Sequence, residues 1–121
     1  MGDILREVTD GDLDAIEIGA AILGTGGGGN PYIGKLRCRE QLKMGRKIPV
    51  IPLAELPDDA LVVSLGGIGA PVVGVEKIEE GEECLRALRA IERELGVKVD
   101  ALISAEIGGA NSIPPPPPPP P

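Results

Sequence analysis

The chain has 121 residues, a net charge of −7, no histidine, tryptophan or phenylalanine, and a single aromatic side chain, Tyr32. The acidic balance argues against nucleic acid or an anionic membrane surface as a partner, since both select basic patches. Without histidine, Ser-His-Asp chemistry and His-ligated metal are excluded within this chain alone. A hydrophobic fraction of 42% is that of a globular protein, but a core of Leu, Ile, Val and Ala lacks the large area that aromatics bury. Marginal stability or self-association is therefore expected, with a homo-oligomer as one outcome.

The N-terminus lacks a basic region followed by an apolar core, and no apolar run approaches membrane-spanning length, so a cytoplasmic location is the default expectation. Thr9 opens the first helix, with Asp12 three residues on as an approximate capping box. Leu13, Ile16, Ala20 and Leu23 follow at helical spacing, and Ala15, Ile18 and Ile22 widen the apolar surface, which predicts burial on more than one side. Gly24 ends this helix and starts a loop containing four consecutive glycines, Gly26 to Gly29, followed by Asn30. The second helix runs from Tyr32 or Gly34 to Met44, with Leu36 and Leu42 inward, Lys35, Arg37, Arg39 and Lys43 outward, and Gly45 as its stop signal.

Residues 48–51 form a short edge strand, because the flanking prolines cannot donate ladder hydrogen bonds. After a turn at Pro57-Asp58-Asp59, residues 60–65 are continuously apolar, as expected of a parallel strand covered on both faces. That strand ends in a second glycine-rich turn at 66–71, and residues 72–77 read as a further strand or extended segment. Residues 79–95 have the clearest helical period: Cys84, Leu88, Ile91 and Leu95 share one face, and Glu82 and Arg86 are spaced for an i,i+4 pair. Gly96 caps that helix, and residues 97–103 supply another strand.

Strand, helix, strand is the pattern of a parallel β/α unit. Ligands of such sheets gather beyond the carboxyl ends of the strands, where the 66–70 and 106–112 turns both fall. The expected fold is thus α/β: a partial three-layer domain with a small, mostly parallel sheet and glycine-rich loops over residues 1–113, and a polyproline tail over 114–121. Cys38 and Cys84 form no C-x-x-C pair and read as buried free thiols of a reducing compartment.

Glu106 is the best candidate for a catalytic side chain, because it follows a buried strand, adjoins two glycines and is followed by Asn111 and Ser112 as hydrogen-bonding partners. A carboxylate there could bind a cation, act as a general base or hold a substrate N–H; equally, it could cap a helix or accept backbone N–H bonds. The candidate ligand-binding positions are Gly26, Gly27, Gly28, Gly29 and Asn30 in the first loop, Gly67 and Gly69 in the second, and Gly108, Gly109, Asn111 and Ser112 in the third. Asn30 could offer its amide to a ligand or occupy a left-handed turn position.

Gly24, Gly26 and Gly29 satisfy G-x-G-x-x-G, but a helix rather than a strand feeds the loop, and Leu36 stands where a P-loop carries its metal-binding hydroxyl. No nucleotide is expected, and a plain structural turn is the rival reading of the glycine run. No metal site is read from these residues; a divalent metal would need residues beyond them.

Several spaced motifs carry a family resemblance. They are residues 18–23 with Gly24-Thr25-Gly26-Gly27-Gly28-Gly29-Asn30-Pro31-Tyr32, then Glu55-Leu56-Pro57-Asp58-Asp59-Ala60, Gly69-Ala70-Pro71, Glu76-Lys77, Asp100-Ala101 and Glu106-Ile107-Gly108-Gly109-Ala110-Asn111-Ser112. In this order they resemble the opening of the S-methyl thiohydantoin desulfurase-like family, over roughly residues 4–113. The resemblance implies the first part of an N-terminal α/β domain, in a setting linked to hydantoinase and oxoprolinase genes. The implied activity is hydrolytic removal of sulfur from a small cyclic amide, a thiohydantoin or hydantoin-like ring. It assigns no catalytic residue, and the chain is expected to be inactive alone.

The pattern departs at Ile113, where the domain is expected to continue and eight prolines follow instead. Such a run forms a polyproline II rod about 25 Å long at ~3.1 Å per residue. A truncation is one origin of the tail and an engineered segment another. A partner-binding rod on a non-catalytic scaffold is the alternative function.

Overall fold

The computed structural model describes residues 5–113; the proline tail lies outside the described residues. Val8 and Ile48 sit in two short antiparallel strands, β1 (Glu7–Val8) and β2 (Ile48–Pro49), paired as Glu7 with Pro49 and Val8 with Ile48. The two-residue period of a strand turns Val8 and Ile48 into the core and leaves Glu7 and Pro49 outside. Val50 N–H extends the ladder by donating to the Arg6 carbonyl at 2.8 Å.

Thr9 and Asp12 form the expected box: Asp12 Oδ2 accepts from the Thr9 N–H at 2.8 Å and from its hydroxyl at 2.6 Å. A 3-10 turn at Asp10–Asp12 then leads into α1 (Leu13–Gly24). Asn30 caps α2 (Pro31–Lys43), its Oδ1 accepting from Tyr32 N–H at 3.0 Å, and Pro31 occupies the first turn, where its missing N–H costs nothing. The two helices pack as a hairpin whose seam is ionic as well as apolar. Lys35 reaches Glu17 and Asp14, and Arg39 reaches Asp10 at 2.6 Å.

The core lies between this hairpin and the β1–β2 pair. It consists of Val8, Leu13, Cys38, Ile48 and Ile113, with Ile16, Leu42 and Val50 packed against it. In α2 it is therefore Cys38 and Leu42 that face inward, whereas Leu36 is exposed. Lys35 and Arg39, expected to face outward, bend back to the acidic face of α1.

The second part of the chain contains β3 (Val62–Ser64), α3 (Pro71–Glu76), α4 (Glu83–Leu95) and β4 (Ala101–Ile103). Strands β3 and β4 are parallel, with Val62 opposite Ala101 and Ser64 opposite Ile103, and α4 lies in the crossover between them. Asp100 sets the start of this register: its Oδ2 accepts from Leu61 N–H at 2.8 Å, and its own N–H donates to the Leu61 carbonyl at 3.0 Å.

The mixed α/β architecture is present, but the described residues form two separate two-stranded sheets, one antiparallel and one parallel, in place of one mostly parallel sheet. Residues 72–76 belong to helix α3 rather than to a strand, and only Lys77, at its C-terminal cap, is extended. Pro71 stands at its start, where a fixed φ is pre-organised for helix. Neither α1 nor β3 is covered all round: Ile18 and Ile22 are 60% and 69% exposed and Val62 is 37% exposed. A helix with apolar residues on two sides needs two neighbours, and here α2 supplies one.

Helix α4 buries Leu88 and, unexpectedly, Glu92. Glu92 accepts from Val99 N–H at 3.1 Å, Arg89 at 2.9 Å and Lys98 at 3.2 Å, and so ties the helix to the segment entering β4. These bonds, the one from Val99 foremost, hold its pKa down to about 2 from an ordinary 4.5, against the opposing effect of desolvation.

Two outcomes are expected. Leu13→Ala, at a side chain 1% exposed, lowers unfolding stability by about 2–5 kcal/mol, whereas Ile22→Ser changes it by less than about 0.5 kcal/mol; urea titration of both checks this. Because the Glu92 pKa is depressed, its contribution to stability is complete above pH 4.5 and fades as pH falls toward 2. Acid unfolding of Glu92→Gln should lack that component.

Candidate functional site

The first glycine loop joins α1 to α2, and its glycines pack against the loop that follows β4. Thr25, not a glycine, takes the left-handed position that ends α1, at φ 47°. Gly24 is needed for a different reason: a Cβ there would stand 2.7 Å from the Gly109 nitrogen. Gly28 combines φ 78° with a Cβ direction blocked by the Gly108 carbonyl oxygen and, at 2.6 Å, by Glu106 Oε2. From the opposite side, a Cβ on Gly109, at φ 71°, would meet the Gly27 oxygen and the Gly28 Cα at 2.5 Å.

Two bare backbones thus lie in contact, and hydrogen bonds stitch them together. Gly109 N–H donates to the Ala20 carbonyl at 2.8 Å, Asn111 N–H to Gly28 at 3.0 Å and Ala110 N–H to Gly29 at 3.3 Å. Gly108 and Gly109 are buried. The glycine run is therefore committed to backbone packing at Gly28 and Gly29, whereas Gly26, at φ 91°, has open space at its Cβ direction. Asn30 is extended at φ −81° rather than left-handed, and its side-chain oxygen is engaged in the α2 cap.

The loop after β4 also meets the loop after β3. Asn111 grips the Gly67 peptide at both ends: Oδ1 accepts from Gly67 N–H at 2.8 Å and Nδ2 donates to the Gly67 carbonyl at 3.0 Å. Between these loops, beyond the carboxyl ends of the parallel strands, lies an open cleft of about 230 Å³ lined by Gly66, Gly67, Ile68, Ser104, Glu106 and Asn111 among others. Convergence of the two turns on one site, expected from the β/α pattern, is what the fold produces.

Glu106 is exposed at this cleft. Its Oε1 is within 3.4 Å of Asn111 Nδ2, and its Oε2 borders Gly28. Ser104 braces its backbone, with Oγ accepting from Glu106 N–H at 3.1 Å and donating to the Glu106 carbonyl at 2.8 Å. The carboxylate caps no helix among the described residues. Ser112 turns its hydroxyl to the Gly109 carbonyl at 2.9 Å, away from a ligand role, and Gly69 has no neighbour at its Cβ direction. Sequence reasoning passed over Ser104, Gly66 and Ile68; a serine two residues before Glu106 at a strand end is the signal for the first, as a side-chain turn.

Among the described residues no group of three or more His, Cys, Asp or Glu side chains is arranged to hold a metal ion, and no helix is long and apolar enough to cross a membrane. What the cleft offers is one exposed carboxylate, peptide groups of glycine and serine hydroxyls, a set that can accept from and donate to a small polar ring.

Fold and cleft together define a mixed α/β domain that gathers three glycine-bearing loops around one acidic side chain. Residues 11–116 match the family described as S-Me-THD-like, N-terminal domain, and the chain belongs to that family. No curated protein and no solved structure gave a match.

The glycine contacts predict a graded response. Gly27→Ala, at a position without positive φ and with its nearest neighbour at 3.4 Å, changes stability by about 1 kcal/mol or less. Gly28→Ala and Gly109→Ala each meet backbone atoms at positive φ and cost more than that. Chemical unfolding of the three variants measures the order.

Proposed function

We propose that the cleft between the loops after β3 and β4 receives a small cyclic amide of the hydantoin or thiohydantoin type, as part of a desulfurase-like hydrolase. The observation that carries this reading is the placement of Glu106 at the cleft, in a chain that belongs to the S-Me-THD-like family. Such a ring alternates N–H donors with carbonyl or thiocarbonyl acceptors. A carboxylate accepts from the ring N–H, and the glycine-lined walls allow close approach of backbone to the ring.

For sulfur removal, water adds to the ring carbon that bears sulfur, and Glu106 takes the proton of the attacking water as general base. As the water adds, the C=N bond opens and its nitrogen takes that proton from Glu106. The C–S bond of the adduct then breaks, the remaining hydroxyl proton passes to the departing sulfur, and methanethiol leaves from an S-methyl substrate while the ring gains a carbonyl and an N–H. Both cysteines are free, which supports a reducing, cytoplasmic setting.

Titrating the 15N-labelled chain with hydantoin tests the reading. Resonances of Gly66, Gly67 and Glu106 should shift, and Glu106→Gln should weaken the response by about tenfold, the loss typical of a hydrogen bond to a charged group. Unmoved resonances at these three residues would overturn it. Methanethiol release from an S-methyl thiohydantoin is expected to stay at the buffer rate for this chain alone; turnover that disappears in Glu106→Gln would show that these residues suffice for catalysis.

A further inference from the structure

Asn111 makes more contacts than a ligand-facing amide can spare. Its Oδ1 is taken by Gly67 N–H, and its Nδ2 serves both the Gly67 carbonyl at 3.0 Å and Glu106 Oε1 at 3.4 Å. A primary amide has two donor protons, and in this arrangement both are directed to partners within the protein. The Asn111 backbone N–H is also held, by the Gly28 carbonyl at 3.0 Å. One residue therefore touches all three loops: the Gly28 loop through its main chain, the Gly67 loop through both ends of its side chain, and the Glu106 carboxylate through the same nitrogen.

On this geometry we propose that Asn111 is a positioning residue: it aims the Glu106 carboxylate and ties that aim to the placement of the Gly67 wall. The role deepens the reading of the cleft as a ring-binding site and rests on it for its functional meaning. With Oε1 drawn to Asn111 and Oε2 set against Gly28, the carboxylate has a protein group on each side. Its rotation about the terminal bond is limited without any contact from Asn111 to the ligand. Gly28 takes part by absence, since a methyl group there would occupy the space beside Oε2. A displacement of the Gly67 peptide pulls on the amide that orients Glu106, so the two walls of the cleft move together.

Asn111→Asp is the discriminating variant. It keeps an oxygen to accept from Gly67 N–H and removes both Nδ2 bonds. It also sets an anionic oxygen in place of the donor, facing the Gly67 carbonyl and Glu106 Oε1, so the aim of the carboxylate is lost by repulsion as well. The first measurement needs no ligand: in the 15N-labelled 121-residue chain, Glu106→Gln should shift the Asn111 side-chain amide resonances while leaving the Gly67 amide protected from hydrogen exchange. Asn111 resonances that do not respond to Glu106→Gln overturn the positioning role, whatever the chain binds.

The second measurement is hydantoin affinity. Asn111→Asp should lower it about tenfold while Gly67 protection is retained, and Asn111→Ala should lose affinity and protection together. Affinity that falls in Asn111→Asp only as far as Gly67 protection falls marks a merely structural residue and overturns the proposal. Should the unsubstituted chain give no hydantoin response, the ring-binding reading fails, and the ligand-free measurement alone decides whether Asn111 orients Glu106.

Discussion

The structure depends on a contact made without side chains, where the backbone of Gly24 and Gly28 lies directly against that of Gly108 and Gly109. Hydrogen bonds across it, from Gly109 to Ala20 and from Asn111 to Gly28, fix how deeply the loop after β4 is seated. Everything downstream inherits that placement. Ile113 reaches the core beside Gly34, Asn111 comes within reach of Gly67, and Glu106 is set at the cleft. A single Cβ at Gly28 or Gly109 would require one of the two chains to back away, which explains why so flexible a residue is kept where ordering it loses the most entropy.

Around this contact the apolar core is small, and electrostatics complements it. The α1–α2 hairpin buries few large side chains, and its seam is drawn together by Lys35 and Arg39 on α2 and by Asp10, Asp14 and Glu17 on and before α1. Exposed pairs of this kind contribute little individually, but Lys35 is well covered by its surroundings and also lies 5.2 Å from the centre of the Tyr32 ring. The hairpin thereby holds the first glycine loop at a defined height over the β4 loop. Glu92 performs the corresponding task at the other end of the β/α unit, fastening α4 to the segment that leads into β4.

Local chemistry was the part of this fold legible in the sequence. The Thr9–Asp12 box, the Glu82–Arg86 pair and the parallel β/α unit with its two converging turns all follow from spacing, and each is present. The contacts between distant segments were not legible. Nothing in the run from Gly26 to Gly29 says that Gly28 rather than Gly26 meets a carbonyl from residue 108, because glycines carry no side-chain pattern to match. Residues 72–76 misled for the opposite reason: their β-branched valines favour strand, and the proline at the head of the segment favours helix. For Asn111 the neighbouring carboxylate of Glu106 was legible as a hydrogen-bonding partner, while Gly67, 44 positions away, depends on tertiary placement.

The buried Cys38 gives this core an internal clock. The residue is 1% exposed, and desolvation pushes the thiol pKa upward, so the reactive thiolate is scarce as well as shielded. An alkylating reagent can reach it only when α2 parts from Leu13, Val8 and Ile113, whereas Cys84 remains partly accessible in the folded chain. The slower of the two labelling rates therefore counts openings of the domain, and any change that loosens the packing of α2 is written into the lifetime of one unmodified sulfur.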